Sequence, residues 1–258
     1  MTANKIIFTD LDGTLLNDDK NVSEKNRLAL IKALDLGHIV YIATGRPYKY
    51  AQHIANQIDP RVKTVSFNGA VYETDSLVIN PIANDKYKDL KDSISKYALR
   101  PFYKTIDELY YDGSMPASFE YDHLGMASIE GINQSFNKEL IKVLVIQQEV
   151  SKQDTENLVE QLSENFSVSY YPDKGFELTE KGLDKGSAVA KVTEYLNIDK
   201  KNIVVFGDDV NDLSMFAQAG LSIATENANE VIKKQSDFIS LDCNESAIAY
   251  GLKHFKII

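Results

Sequence analysis

Short apolar runs alternate with longer amphipathic segments near both ends of the chain. The runs at 6–8, 39–43 and 203–206 have the length of buried strands, and polar residues follow each of them at once. In open α/β sheets, such strands lead at their carboxyl ends into a polar crevice that binds ligands. The pattern therefore predicts an α/β fold whose chemistry lies just after these strands.

The amphipathic segments predict helices with recognisable ends. Leu28, Ile31 and Leu34 recur at helical spacing, and Gly37 is placed to end that helix. Pro47 suits the first turn of a second helix. Further predicted elements are strands at 62–67 and 221–224, a hairpin of 71–73 with 77–79, and helices beginning near residues 185, 213 and 227, while 238–239 and 247–255 are expected to complete the core.

The pattern changes between residues 83 and 182, where a block with its own strands and helices begins. We predict an α/β domain inserted into the first one, so that 1–82 and 183–258 form the core domain and 83–182 the insert. Its predicted elements are a helix at 85–97, an extended aromatic stretch at 101–111, a strand at 142–148, a helix at 151–164 and a strand at 166–171. Most of its tyrosines are expected to pack against the sheet.

Asp10 and Asp12 follow the first apolar run and are two residues apart. Side chains at this spacing in a strand point the same way, so the two anions repel each other unless a cation lies between them. Mg²⁺ suits such a site because it prefers hard oxygen ligands. Gly13 and Thr14 offer a backbone NH and a hydroxyl for an anion. The alternative is a turn that merely caps a strand.

A second acidic loop, at 208–212, follows the strand at 203–206 and has the same form, so the two loops could face one cation. Thr44 and Gly45 lie beside the NH-rich start of the helix at Pro47, which is an anion site by geometry. Lys185 stands in the first turn of a helix, where the dipole opposes it, and a bound phosphate would justify that position. The alternative is an ordinary surface lysine.

Composition limits the partners. The 258 residues carry a formal charge of -10, which argues against nucleic acid or an anionic membrane as the main partner. Any phosphate site must then be locally positive, and Arg46, Lys185 and a metal are the candidates. The single Cys243 excludes a disulfide within the chain, and we find neither a signal peptide nor a membrane-spanning stretch. We therefore expect a soluble cytoplasmic protein, with monomer plausible and oligomeric state open.

Four segments in order resemble the motifs of the haloacid dehalogenase superfamily. The resemblance implies a Rossmann-like parallel-sheet core, and the size and position of the insert resemble the larger α/β cap of the Cof-like branch. The segments are Asp10-Leu11-Asp12-Gly13-Thr14-Leu15-Leu16, Thr44-Gly45-Arg46, Lys185 within Gly182-Leu183-Asp184-Lys185-Gly186, and Gly207-Asp208-Asp209-Val210-Asn211-Asp212.

The resemblance implies a role for each motif residue. Asp10 would be the nucleophile and Asp12 the general acid and base. Mg²⁺ would be held by Asp10, the backbone carbonyl of Asp12, and Asp208, with support from Asp212. Phosphate would contact the remaining motif residues, which are Thr44, Gly45, Arg46, Lys185 and Asn211.

These roles predict a Mg²⁺-dependent phosphatase that hydrolyses small phosphate monoesters, such as sugar phosphates or phosphorylated cofactors, through an aspartyl-phosphate. One alternative is a phosphomutase, which would need basic residues in the insert to bind a second phosphate, but Arg100 is the only arginine there. The other alternative is a non-catalytic phosphate-binding sensor. Asn68 is either a left-handed turn residue or a substrate contact. Two positions depart from the Cof-like pattern. Asp209 stands where Asn is common, and Glu226-Asn227-Ala228 stands where Gly-Asn-Ala is common.

Overall fold

A computed structural model describes residues 4–97, 99, 101–111, 129–131, 138–146, 151–171 and 175–258. The chain divides into two compact units, Met1–Val78 with Asp184–Ile258, and Ile79–Leu183. The division into domains at 82 and 183 stays a prediction. The strands and helices, numbered in chain order, are β1 (Ile6–Thr9), α1 (Glu24–Asp35), β2 (Ile39–Ala43), α2 (Tyr48–Ile58), β3 (Lys63–Ser66), β4 (Val71–Glu73), β5 (Leu77–Ile79), α3 (Asn84–Ser95), β6 (Pro101–Lys104), β7 (Leu109–Tyr111), β8 (Ile129–Gly131), β9 (Lys142–Ile146), α4 (Lys152–Ser163), β10 (Phe166–Tyr171), β11 (Gly175–Glu180), α5 (Lys185–Tyr195), β12 (Ile203–Gly207), α6 (Leu213–Gln218), β13 (Leu221–Ala224), α7 (Glu230–Gln235), β14 (Phe238–Ile239) and α8 (Ala247–His254).

The first unit is built on a sheet with the strand order β14-β13-β12-β1-β2-β3-β4-β5. The strands from β14 to β3 are parallel, whereas β4 runs antiparallel to β3. Strand β1 lies between β2 and β12, so the chain order reverses there and leaves a crevice at the carboxyl ends of these strands. The predicted α/β fold with a parallel-sheet core is confirmed.

Both faces of this sheet are covered by helices. Ile7 of β1 belongs to a buried cluster with side chains of α1, α2 and α8, whereas Phe8 belongs to one with side chains of α5, α6 and α7. Successive residues of a strand point to opposite faces, so a strand buried on both sides must be apolar throughout. This is why β1 and β12 can be recognised in the sequence as continuous apolar runs.

The helix ends in this unit follow local sequence signals. Ser23 accepts a hydrogen bond from the Asn26 NH and caps α1, and Gly37 adopts the left-handed backbone (φ 86°) that ends it. Leu28 does not contribute to the buried face, because its side chain is 52% exposed, and α1 packs instead through residues such as Ala29 and Leu30. The predicted helix is therefore confirmed and its predicted apolar face is partly wrong.

The second unit contains a six-stranded sheet in the order β10-β11-β9-β6-β7-β8 within the described residues. Its strand pairs are antiparallel except β7 with β8, and the predicted extended stretch at 101–111 forms the hairpin of β6 and β7. Leu90 of α3, Leu158 of α4 and Tyr103 of β6 share one buried core. Within the described part of the chain, no helix combines the length and apolar character needed to cross a bilayer.

Candidate active site

Two acidic loops follow neighbouring parallel strands of the first unit. Asp10 comes directly after β1, and its NH donates to the Phe206 carbonyl of β12 (3.0 Å). Asp208 comes directly after β12. The carboxylates of Asp10, Asp208 and Asp212 each bring one oxygen within 4.8 Å of the others. The parallel pairing of β1 with β12 therefore brings together acids almost 200 residues apart in the sequence.

Lys185 is the buried counter-charge of this cluster. Its Nζ donates to Asp10 Oδ1 (2.5 Å) and to Asp212 Oδ1 (2.7 Å). The lysine is the first residue of α5, which Asp184 caps by accepting a hydrogen bond from the Ser187 NH (2.6 Å). Lys185 is 1% exposed, so the alternative of an ordinary surface lysine is wrong.

A close packing contact fixes the start of α5. Gly69, in the turn after β3, has φ 94°, and a Cβ on it would lie 2.1 Å from the Asp184 carbonyl oxygen. A side chain there would be strained by the backbone and would also force the cap of α5 outward. Gly69 therefore helps to hold Lys185 at the carboxylates.

The cluster carries surplus negative charge, because three carboxylates face one ammonium group. Burial raises the pKa of Asp10 well above its usual value, with Asp212 and Asp208 adding to the rise and Lys185 opposing it. Burial likewise raises the pKa of Asp208 to about 6, against the Thr14 hydrogen bond. Burial alone would lower the pKa of Lys185, but Asp10 and Asp212 outweigh it and raise that pKa. The surplus thus favours uptake of positive charge.

The turn that follows the two aspartates of the first loop holds the second loop. Thr14 is buried, and its hydroxyl donates to Asp208 Oδ1 (2.5 Å). Gly13 has φ 80°, and a Cβ on it would lie 2.5 Å from Asp208 Oδ2. Only glycine allows both that backbone and that approach. In this structure the Thr14 hydroxyl, predicted to hold an anion, binds a carboxylate of the chain itself.

Asp212 and Asp209 shape the second loop in different ways. Asp212 is buried, and its Oδ2 accepts from the backbone NH groups of Asp208 (2.9 Å) and Asp209 (3.1 Å). Asp209 is exposed, and its Oδ1 accepts from the Val210 NH (2.7 Å) and from Asn229 Nδ2 (3.1 Å). Asp209, which stands where Asn is common in the Cof-like pattern, therefore caps this loop through its side-chain oxygen.

Asp12 lies in a second group of charges. Arg46 donates to it twice, from Nε to Oδ2 and from Nη2 to Oδ1, each at 2.9 Å. Lys20 Nζ donates to Oδ1 as well (3.2 Å). Burial would raise the pKa of Asp12, but hydrogen bonds and charge from Arg46, with help from Lys20, outweigh it and lower that pKa. Asp12 therefore favours its ionised form here.

The loop after β2 carries the other predicted phosphate contacts. Thr44 is buried, and its hydroxyl accepts a hydrogen bond from the Arg46 NH (3.1 Å). A Cβ on Gly45 would lie 2.8 Å from Asn68 Oδ1, so the two residues approach closely. Asn68 has φ 54°, so it has the left-handed backbone of the first alternative, and a contact between Asn68 and substrate stays a prediction. Asn211 is half-buried in the short 3₁₀ turn Val210–Asp212.

Three residues make contacts within the site that the sequence did not predict. They are Thr14 on Asp208, Lys20 on Asp12, and Asn227, whose Nδ2 donates to the Gly13 carbonyl (2.8 Å). Asn227 also accepts from the Cys243 NH through its side-chain oxygen (2.9 Å). Its side chain thus ties the first acidic loop to the end of the chain.

The predicted site residues fall into three groups in the structure. Asp10, Asp208, Asp212 and Lys185 form one cluster, Asp12 and Arg46 form an ion pair, and Thr44 and Gly45 lie in the loop that carries Arg46. The predicted catalytic, metal-binding and phosphate-binding roles of these residues, and of Asn211, stay predictions.

Known proteins are similar to this chain in sequence and in fold. The sequence-family model of the haloacid dehalogenase-like hydrolases matches residues 7–252 of this chain. The 5-amino-6-(5-phospho-D-ribitylamino)uracil phosphatase YcsE of Bacillus subtilis is 26% identical, over 97% of this chain and 95% of its own. TM0651 from Thermotoga maritima is 29% identical, with a TM-score of 0.83 and 97% of each chain covered.

A third similarity concerns the fold alone. The phosphatase BT1666 from Bacteroides thetaiotaomicron is 22% identical, with a TM-score of 0.85 over 99% of this chain and 96% of its own. The resemblance drawn from the four motifs is confirmed. The chain belongs to the haloacid dehalogenase-like hydrolase family and, like relatives that match almost its whole length, it is a phosphatase.

Proposed function

We propose that this phosphatase depends on Mg²⁺ and hydrolyses small phosphate monoesters through an aspartyl-phosphate on Asp10. The observation that carries the proposal is the buried cluster at the ends of β1 and β12. There a single lysine, Lys185, pairs with Asp10 and Asp212, while Asp208 lies within the same group of oxygens. Perturbed carboxylates in one cluster are typical of functional sites.

The residues present fit a divalent metal ion. Three carboxylates with one ammonium leave two negative charges, which equals the charge of Mg²⁺, and all the donors are hard oxygens. Asp10 and Asp208, with the Asp12 carbonyl, would hold the ion, and Asp212 would support them. When bound, Mg²⁺ would offset the negative charge of the carboxylates and of a phosphate ester.

The chain's own residues would then divide the reaction between them. An Asp10 carboxylate oxygen would attack the phosphorus atom and form the acyl phosphate, while the bond to the leaving oxygen breaks. Lys185 would keep Asp10 in place through the hydrogen bond that it makes now. Asp12 would give a proton to the leaving oxygen and later take one from the water that hydrolyses the acyl phosphate.

Phosphate oxygens would be held by groups around the cluster. We assign Thr44, Gly45 and Lys185 to this role, because the loop after β2 and the start of α5 both adjoin the turn that contains Asn68 and Gly69. Asn211 is assigned to it from the motif resemblance alone. Arg46 belongs to the same predicted set, although its side chain is paired with Asp12 in this structure. Backbone NH groups at helix starts favour such anions.

The proposed substrate class is supported by relatives that match 97% of the chain. YcsE and YitU of Bacillus subtilis are named as phosphatases of 5-amino-6-(5-phospho-D-ribitylamino)uracil, a phosphorylated small molecule. We propose a substrate of this general kind, a sugar phosphate or a phosphorylated cofactor precursor. We also propose that residues 83–182 form a separate cap domain whose loops select the leaving group.

The test combines a substrate panel with trapping of the intermediate. The purified protein is incubated with phosphorylated metabolites and Mg²⁺, or with EDTA, and released phosphate is measured. Borohydride reduction after rapid mixing, followed by peptide mass spectrometry, should detect homoserine at position 10 in place of Asp10. Phosphate release without modification at Asp10 would overturn the intermediate, and activity unchanged in EDTA would overturn the metal. Isomerised product without free phosphate would identify a mutase.

A further inference from the structure

The Arg46 side chain makes a specific contact with the proposed acid. Its Nε donates to Asp12 Oδ2 and its Nη2 to Asp12 Oδ1, each at 2.9 Å. Two parallel hydrogen bonds from a planar guanidinium fix the plane of a carboxylate as well as its position. Arg46 therefore determines how the Asp12 carboxyl group is oriented.

Arg46 is itself anchored. Its guanidinium lies over the ring of Tyr50, 5.0 Å from the ring centre, and Tyr50 is a buried residue of α2. Its backbone NH donates to the Thr44 hydroxyl (3.1 Å), and its carbonyl accepts from the Phe67 NH (3.0 Å). Because both its backbone and its guanidinium are held, Arg46 can impose an orientation on Asp12.

The hydrogen bonds to Asp12 leave one oxygen open to a proton. An ionised carboxyl group has about four lone-pair positions. Arg46 uses one on each oxygen, and Lys20 uses a second one on Oδ1, which accounts for the donors to Asp12 within the described residues. The remaining position is on Oδ2. Oδ2 is therefore the Asp12 oxygen that can face the leaving oxygen of a substrate.

We propose that Arg46 is a positioning residue that aims Asp12 Oδ2 at the leaving oxygen, and that it does not bind the transferred phosphate. This inference rests on the proposed function, in which the Asp12 proton passes to the leaving oxygen. In that step the ester bond at phosphorus breaks, a bond from phosphorus to Asp10 forms, and the leaving group departs as an alcohol. The role differs from the phosphate contact that the sequence predicts for Arg46.

The experiment compares two substrates in Arg46→Met. An alkyl phosphate needs its leaving oxygen protonated, whereas p-nitrophenyl phosphate leaves as a stable anion and needs little help. We expect kcat/KM, which reports the steps up to formation of the acyl phosphate and not its later hydrolysis, to fall about a hundredfold on the alkyl phosphate and less than about fivefold on the aryl phosphate. Competitive inhibition by inorganic phosphate should stay within about twofold of wild type, because Arg46 is not a phosphate ligand.

Three further variants make the test specific. Arg46→Lys keeps the charge but loses the two-point contact, so the same split between substrates should appear at smaller size, also if Arg46→Met fails to fold. In an Asp12→Asn background, Arg46→Met should add almost nothing on the alkyl phosphate. Arg61→Met is the matched control, because Arg61 makes a similar two-point contact with Asp59 on the surface, at 2.8 and 2.9 Å.

The outcomes separate this inference from the proposed function. Equal losses on both esters, with phosphate inhibition weakened by the same factor, would identify Arg46 as a phosphate ligand. That result would overturn the inference and leave the phosphatase mechanism standing. If the wild-type protein hydrolysed neither ester in Mg²⁺, the proposed function would fail and the inference with it.

Discussion

Asp10 and Asp12 are two residues apart in one loop, yet they lie in opposite electrostatic surroundings. Around Asp10, three carboxylates face the single ammonium group of Lys185, which leaves two negative charges. Around Asp12, one carboxylate is paired with both Arg46 and Lys20. The pKa of Asp10 is accordingly raised and that of Asp12 lowered.

The difference suits the two aspartates to different chemical roles. The negative half, around Asp10, has the charge and the oxygen ligands for a divalent cation, whereas around Asp12 the side chains of Arg46 and Lys20 hold the carboxyl group of the proposed acid. Pairs of titratable groups whose surroundings push their pKa values apart are a mark of divided acid, base and nucleophile roles. Each prediction below removes or measures one side of this contrast.

The largest effect is expected from Asp10→Asn, which removes the proposed nucleophile from the negative half. We expect phosphatase activity to fall at least about a thousandfold, because an amide cannot form the acyl phosphate. Asp209→Asn is the matched control, since this exposed acid of the second loop caps Val210 and Asn229, and its activity should stay within about twofold. Steady-state phosphate release from both folded variants measures the difference. Similar activities would remove Asp10 from the mechanism.

Lys185→Met should have the next largest effect, because it leaves the carboxylates of the negative half without their ammonium group. Removing one partner of a buried ion pair costs about 3–5 kcal/mol of stability. Urea unfolding in EDTA should show this loss, and Mg²⁺ should restore part of it. Lys142→Met, which removes a buried lysine from Glu177 in the second unit, should be destabilised without any gain from Mg²⁺. Equal responses of the two variants to Mg²⁺ would contradict the charge imbalance.

The pH dependence of stability distinguishes the two halves. Burial raises the pKa of Asp208 from 3.8 to about 6, so between these values the folded protein holds a proton that the unfolded chain releases. This group's contribution to stability therefore falls as pH rises from about 4 to 6, by on the order of 2 kcal/mol. The lowered pKa of Asp12 acts in the opposite direction and below this window.

The measurement is urea unfolding in EDTA at several pH values, comparing wild type with Asp208→Asn. Stability of the wild type relative to the variant should fall as pH rises through the window. Stabilisation by Mg²⁺ should grow over the same range, because protons and the metal ion compete for the carboxylates. A constant difference between the two proteins would mean that the Asp208 pKa is not raised.

The sequence predicts the two halves of the fold to different degrees. Strands β1 and β12 could be predicted because they are buried on both faces and must be apolar throughout. Strand β11 was missed, although Phe176 and Leu178 are buried in the core of the second unit and alternate with polar residues as in a half-buried strand. Leu28 was placed on the wrong face because spacing alone does not distinguish it from its neighbours.

The site shows the same limit. The motifs bring Asp10, Asp208 and Lys185 to attention because each follows a strand or opens a helix. The partners of these residues depend on loop conformation instead. Lys20 reaches Asp12 from a turn in which its own φ is 60°, and Asn227 reaches Gly13 across 214 positions of sequence. Local patterns carry no information about such contacts.

The smallest predicted effect tests the hydroxyl that holds Asp208 in the negative half. Thr14→Val keeps the shape of the side chain but removes the hydrogen bond to Asp208 Oδ1 (2.5 Å). A hydrogen bond that orients a metal ligand affects metal affinity by about tenfold or more, so the Kd for Mg²⁺ should rise about tenfold, and stability should fall by about 1 kcal/mol. Calorimetric titration with Mg²⁺ and urea unfolding measure the two quantities.

Thr193→Val supplies the control for this last change. Thr193 is buried in α5, and its hydroxyl donates to the Val189 carbonyl (2.8 Å), away from the carboxylates. Its loss should cost similar stability while leaving the Kd for Mg²⁺ unchanged, because no carboxylate depends on it. If Thr14→Val lost stability but bound Mg²⁺ as tightly as wild type, the ion would not depend on the orientation of Asp208, and the negative half would need another set of ligands.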